Sequence, residues 1–201
     1  LCLLGMSCSD DTPYACTCAS CTAMGNTEKN ATPAVTELLL RLSQRFPKHS
    51  FFTISYLSTK QVTDKQLPSN AGIIVSAIDF PLRRIDGKNA QEKKFMQQLN
   101  QWKKASKNIY IWDYINNFDD YLTPFPILKI ALRFFKQNGA SGIFFNGSGY
   151  SYSSFDAMRT FVLSALLINP ELPVEELVRD YFNQEYPLSK KWLYDYYINL
   201  E

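Results

Sequence analysis

Histidine is almost missing from these 201 residues, with His49 the single one. That scarcity excludes multi-histidine metal centres. Any Ser-His-Asp or Cys-His catalytic arrangement would have to run through this one imidazole. His49 follows Phe46–Pro47–Lys48, at an expected helix-to-strand turn, and reads as a solvated loop residue. Charge of one sign is lacking too. Twenty-one Lys and Arg stand against 19 Asp and Glu, a formal +2, and no basic stripe of the kind nucleic acid requires is present. No apolar run approaches the length of a membrane span. Glycine is sparse, and none builds a phosphate loop. Asn146–Gly147–Ser148–Gly149 comes nearest but lacks G-x-G-x-x-G and the P-loop lysine, so a nucleotide-binding sheet is not expected.

What remains is a chain 46% hydrophobic, enough to bury a core as one domain or part of a larger one. Leu1–Cys2–Leu3–Leu4–Gly5–Met6–Ser7–Cys8 has the outline of a lipoprotein signal. It has no positively charged start, and its apolar stretch is too short. It reads instead as a buried strand of a chain that is expected to begin inside a larger protein.

Near-continuous apolar runs predict further strands at Ser50–Leu57, Gly72–Ile78, Asn108–Ile115 and Ser141–Asn146. Such runs mark strands covered on both faces, as in parallel α/β sheets. Cys8–Glu28 reads as a polar loop. Thr32 as N-cap and Pro33 in the first turn open a helix carrying Val35, Leu38, Leu39, Leu42 and Phe46 at helical spacing, and Pro47 ends it. Ala90–Ala105 is a helix with Phe95, Leu99 and Trp102 on one face. Another runs from Pro124 or Pro126 to Gln137 and closes at Asn138–Gly139. Helices follow at Phe155–Leu167, Val174–Glu185 and Ser189–Leu200. The connection between the strands at 50–57 and 72–78 has no helical pattern. Repeated β/α units suggest a barrel or an open doubly wound sheet.

The segment Gly5–Cys21 joins Asp10 and Asp11, at the end of an apolar strand, to the cluster Cys16, Cys18 and Cys21. Thiols at C-x-C-x-x-C spacing hold a structural metal, form a disulfide or stay free. Zinc would need a fourth ligand from Cys8, an acid or water. A catalytic thiol is not expected without a nearby base.

Five segments together point further. They are S-D-D-T-P-Y-x-C-x-C-x-x-C after a strand, R-F-P-K-H before the next, Y-I-W-D-Y-I-N-N-F-D-D-Y-L-T-P-F-P-I-L, G-A-S-G-I-F-F-N-G-S-G-Y and L-L-I-N-P-E-L-P-V-E-E-L-V-R-D-Y-F. Their combination closely resembles the DUF4838 family of bacterial proteins, common in gut Bacteroidetes, over nearly the whole chain. That family groups with TIM-barrel glycoside hydrolases, near the α-glucuronidase and N-acetylglucosaminidase types. The resemblance implies an α/β fold forming the C-terminal part of a (β/α)8 TIM barrel with trailing C-terminal helices. Residues 1–168 would supply about five parallel strands, and 169–201 a helical segment packed on the barrel. The upstream strands of the parent chain would be partners. An isolated chain would expose strand edges, tend to oligomerise and be poorly active.

The resemblance also implies a glycoside hydrolase-like protein acting on polysaccharide or glycan outside the bacterial cytoplasm, whether periplasmic, cell-surface or secreted. In a TIM barrel, chemistry sits at the C-terminal ends of the strands, and glycoside hydrolysis needs two carboxylates. Asp10 or Asp11 is the expected acid, with the other orienting it or binding backbone amides because adjacent extended residues point opposite ways. The alternative is that Asp10–Asp11–Thr12–Pro13 is simply a turn. Asp113 and Asp79 are candidate partners, although Asp113 could instead sit in a structural salt bridge to Arg83, Arg84 or Arg133. Arg83 and Arg84 either belong to a solvated loop, the favoured reading of the two, or hold a sugar carboxylate. Tyr56, Tyr114, Asn116, Asn117, Asn146 and Tyr150 complete the expected substrate contacts. Alternation with Asp113 turns Trp112 away, into the layer between barrel and helices, and leaves Tyr150 and Tyr152 for stacking. Catalysis of this kind needs no cofactor, and zinc at the cysteines would be structural.

The chain departs from the family at two places. Relatives tend to carry Asp-Asn where Asp10–Asp11 stands, and Glu or Gln where Asn146 stands. The second departure keeps open a non-catalytic carbohydrate-binding barrel. A small metal-stabilised interaction module is the third reading.

Overall fold

The structure is a computed structural model and describes residues 3–6, 14–80, 85, 88–114, 125–146 and 155–200. In chain order its elements are β1 (Leu3–Met6), α1 (Ala19–Ala23), α2 (Thr32–Arg45), β2 (Ser50–Ser55), a 3-10 turn at Leu57–Thr59, β3 (Ala71–Ser76), α3 (Ala90–Ala105), β4 (Ile109–Tyr114), α4 (Phe125–Gln137), β5 (Gly142–Asn146), α5 (Asp156–Ile168), α6 (Val174–Glu185) and α7 (Lys190–Leu200). The strands form one sheet in the order β1-β2-β3-β4-β5. Parallel register runs through Leu4↔Phe51, Phe51↔Ala71, Val75↔Ile111 and their neighbours. The protein is therefore α/β with a parallel sheet. Among the described residues no helix is long and apolar enough to cross a membrane.

The chain groups into two compact units. The first holds β1 to β3, α1 to α3, β4 as far as Asp113, and Gly139–Phe144. The second holds α4 to α7 with Tyr114, Phe145 and Asn146.

In the first unit, paired residues of a parallel sheet point to the same face, so Phe51, Thr53 and Ser55 share a side with Ala71, Ile73 and Val75, and with Ile109 and Ile111. All of these are buried. Both long helices of the unit lie on that side. Phe46, just past the end of α2, packs its ring against Phe51, 6.3 Å between centroids. From α3, the Trp102 indole N–H donates to Ser55 Oγ at 2.8 Å. Phe95, Leu99 and Trp102 of α3 are buried as their spacing predicts; full burial of one such side chain contributes about 1.5–3 kcal/mol.

The β2–β3 connection runs between the two helices where a crossover helix would lie. Lys65 pairs with Glu37 of α2 at 3.1 Å. On the α3 side, the Leu67 N–H donates to the Ala105 carbonyl at 2.8 Å. Its one helical feature is the 3-10 turn, where the Thr59 hydroxyl donates to the Ile54 carbonyl at 2.6 Å.

Among the described residues the second unit is helical apart from the strand ends and short turns. In α4, Phe125, Leu128, Ala131, Leu132 and Phe135 are buried at helical spacing. Phe155, just before α5, sits in the left-handed region at φ 65°, a cost of about 1–2 kcal/mol for a non-glycine residue. Its ring packs against Phe182, Tyr196 and Tyr197, 5.4, 5.9 and 6.0 Å between centroids.

Local structure departs from the sequence expectation in three places. The expected loop Cys8–Glu28 contains α1. Thr32 is not the cap of α2. It is the first helical residue, and its hydroxyl donates to the Gln61 carbonyl at 2.9 Å. The free N–H groups are met by two asparagines, with Thr32 N–H donating to Asn30 Oδ1 and Ala34 N–H to Asn26 Oδ1, both at 3.0 Å. On α2, Thr36, Leu39 and Ser43 are buried, while Leu38 and, just past its end, Phe46 are exposed.

Candidate functional site

The C-terminal ends of parallel strands share one edge of the sheet, where chemistry in such folds collects. In the first unit β2 reaches this edge at Ser55, β3 at Ser76 and β4 at Asp113. Ser55 is buried and its hydroxyl oxygen is saturated. It accepts from Trp102 Nε1 and from Gln98 Nε2, each at 2.8 Å, and donates to the Lys60 carbonyl. Tyr56, the next residue, is half-buried. Asp79, three residues past β3, is exposed and ion-paired to Lys60, Nζ to Oδ2 at 3.1 Å. That pair joins the segments that leave β2 and β3.

Asp113 is 2% exposed. Two positions beyond Ile111, it continues the row Ser55–Val75–Ile111, the side that meets α3. Trp112 stands on the opposite side, against Phe144 at 4.8 Å, as do Tyr110 and Phe52, 5.0 Å apart. This reverses the expected placement of Trp112 in the barrel–helix layer. Alternation fixes only that Trp112 and Asp113 oppose each other, and the register to Ser55 decides which of them meets the helices.

Of the other expected residues, Tyr114 and Asn146 belong to the second unit and are half-buried. Arg133, weighed as a partner for Asp113, forms a bidentate pair with Glu171, Nε to Oε1 at 2.7 Å. That guanidinium holds the Glu171 carboxyl below its ordinary range. His49 is exposed, as expected. Asp10, Asp11, Arg83, Arg84, Asn116, Asn117 and Tyr150 lie outside the described residues, as do Tyr152 and Cys8.

Cys16, Cys18 and Cys21 converge, their sulfur atoms all within 4.8 Å of one another. The three are free thiols. Cys18 occupies the position before α1 and Cys21 lies in its first turn. The Cys21 N–H, directed at the Cys18 sulfur, lowers the Cys18 thiol. The Cys21 thiol is pushed up to about 11, chiefly by its hydrogen bond with Cys18. The loop hangs on Asn26, which is 5% exposed. Its Nδ2 donates to the Cys16 carbonyl and its N–H to the Cys21 carbonyl, both at 3.0 Å. The cluster can hold a metal ion; three thiolates are the donor set of borderline-soft cations.

Sequence reasoning missed Asn26, Lys60 and Ser55. Asn26 had a faint signal as a polar residue placed between the thiols and an expected helix start. Lys60 and Ser55 had none, because their partners are distant in the chain.

The parallel sheet and its strand-end edge define an α/β protein of sequential β/α winding. The chain belongs to a family described as Domain of unknown function (DUF4838), whose model matches residues 2–199. No curated protein and no solved structure matches it.

Proposed function

We propose that this chain is the C-terminal part of a (β/α)8 barrel with trailing helices and that it works as a glycoside hydrolase-like protein on polysaccharide or glycan, outside the bacterial cytoplasm. One observation carries the barrel reading. The strand order is strictly sequential, with both long helices of the first unit on the same face. Parallel crossovers are right-handed. Strands added always in one direction therefore place every helix on one side, whereas a doubly wound sheet reverses its order and covers both sides. Sequential winding is the winding of a barrel, with the helices outside.

The hydrolase activity rests on the family's resemblance to TIM-barrel glycoside hydrolases. In this reading Asp10 or Asp11 protonates the leaving oxygen, and Asp79 or Asp113 serves as base or nucleophile.

A second reading, a non-catalytic carbohydrate-binding barrel, is favoured by the placement of the described acids. Asp113 is on the helix side and Asp79 is tied to Lys60, while Phe52, Tyr110, Trp112 and Phe144 gather on the other face.

The test is release of reducing sugar by the intact protein from uronic-acid and N-acetylhexosamine glycans, beside Asp10→Asn, Asp11→Asn, Asp79→Asn and Asp113→Asn. The hydrolase reading expects a loss of about 10²–10⁴-fold from at least one change in a folded variant. Binding without release that survives all four changes selects the second reading. Neither binding nor release overturns both.

A further inference from the structure

We infer that Cys16, Cys18 and Cys21 form a solvent-accessible three-thiolate site for a single borderline-soft cation of the zinc class. This inference is independent of the carbohydrate reading and stands on the geometry of the loop.

Three sulfurs within 4.8 Å of one another are close to what one ion requires. A Zn–S length of about 2.3 Å in tetrahedral geometry sets the sulfurs about 3.8 Å apart. The difference of about 1 Å falls on side chains of which two, Cys16 and Cys18, are exposed and rotate between staggered positions. Cys16 and Cys18 are exposed and Cys21 half-buried, so an ion enters from solvent.

The backbone that presents them is held on two sides. Asn26 ties the carbonyls of Cys16 and Cys21 together and, through Oδ1, anchors the loop to the first turn of α2. The Thr22 hydroxyl donates to the Thr17 carbonyl at 3.1 Å, closing the turn between the thiols. The buried asparagine holds the main chain that carries Cys16 and Cys21, so the loop conformation does not depend on an ion.

The chemistry of the donors selects the ion. Thiolates suit zinc and softer cations and discriminate against magnesium and calcium, which take oxygen ligands. On binding, the thiols release their protons to solvent and three sulfur–metal bonds form. A fourth position is left for a further donor.

The experiment is an anaerobic titration of the fully reduced chain with Co(II), followed by displacement with Zn(II). A thiolate-to-cobalt charge-transfer band that saturates at one equivalent and disappears on zinc addition is expected. Cys16→Ser, Cys18→Ser and Cys21→Ser should each weaken binding at least tenfold. The triple serine variant should show no band while keeping the far-ultraviolet circular dichroism of the parent. A band that persists in the triple variant, where Cys2 and Cys8 remain, would overturn the assignment. So would absence of any band from the reduced chain, or alkylation of all three thiols at an undiminished rate under saturating zinc.

Discussion

The indole N–H of Trp102 and the hydroxyl of Ser55, 47 residues apart in sequence, meet at 2.8 Å where α3 crosses the end of β2. This bond marks the helix-covered face of the sheet, and through the register it places Asp113 on that face. Ser55→Ala leaves the Trp102 N–H and the Gln98 amide without their acceptor. An unsatisfied buried donor costs about 1–3 kcal/mol. The variant should therefore unfold at lower urea with its m-value unchanged, and Trp102 fluorescence should report the looser packing.

Gly72 lies where β3 passes beneath the Phe52 ring. A Cβ there would stand 2.5 Å from the Asn108 carbonyl oxygen and overlap Phe52 Cε1. Gly72→Ala should destabilise the first unit by about 1–3 kcal/mol as overpacking. Trimming the ring with Phe52→Leu should not restore stability, because the Asn108 backbone remains in place. Thermal unfolding of the single and double variants checks this.

Asn26 serves two elements, and its Oδ1 receives the Ala34 N–H at the start of α2. Asn26→Ala orphans that donor and the Cys16 carbonyl together. A loss of about 2 kcal/mol is expected, read by urea denaturation, with the largest rise in amide hydrogen exchange at residues 16–35. Thr32→Ala should cost less, since the Thr32 side chain does not cap the helix.

The Glu171 carboxyl is held below its ordinary range by Arg133. A depressed folded value means that the contribution to stability is present above the unfolded value and is lost as pH falls through the folded one. Glu171→Gln should therefore flatten the acid side of the stability–pH profile below about pH 4.5 and lower stability slightly near neutrality. Urea midpoints between pH 3 and 7 measure it.

Much of the fold is legible in local pattern. The apolar runs marked the strands to within a residue or two at most ends. The spacing of Phe95, Leu99 and Trp102 marked the buried face of α3, and Asn138–Gly139 marked the stop after α4, with Gly139 at φ +82°. These are short-range effects of helical period, strand hydrophobicity and backbone freedom. The spacing of the cysteines was equally plain, with Cys16, Cys18 and Cys21 inside six residues. An extended segment of that length, however, reaches well over ~10 Å, and the turn of α1 is what brings the sulfur atoms together.

Other features were settled only by contacts distant in sequence. Alternation along β4 separated Trp112 from Asp113, but a strand alone has no inside. The Ser55–Trp102 bond and the Val75↔Ile111 register assigned the sides. The pairing of Lys60 with Asp79, and of Arg133 with Glu171 rather than with any strand-end acid, likewise depends on where separate loops and helices come to rest. By itself the sequence determined most of the strands and helices, α1 excepted, since those follow from neighbours along the chain. The tertiary structure alone decided which face of the sheet each side chain occupies and which charges meet, because those are properties of packing between elements.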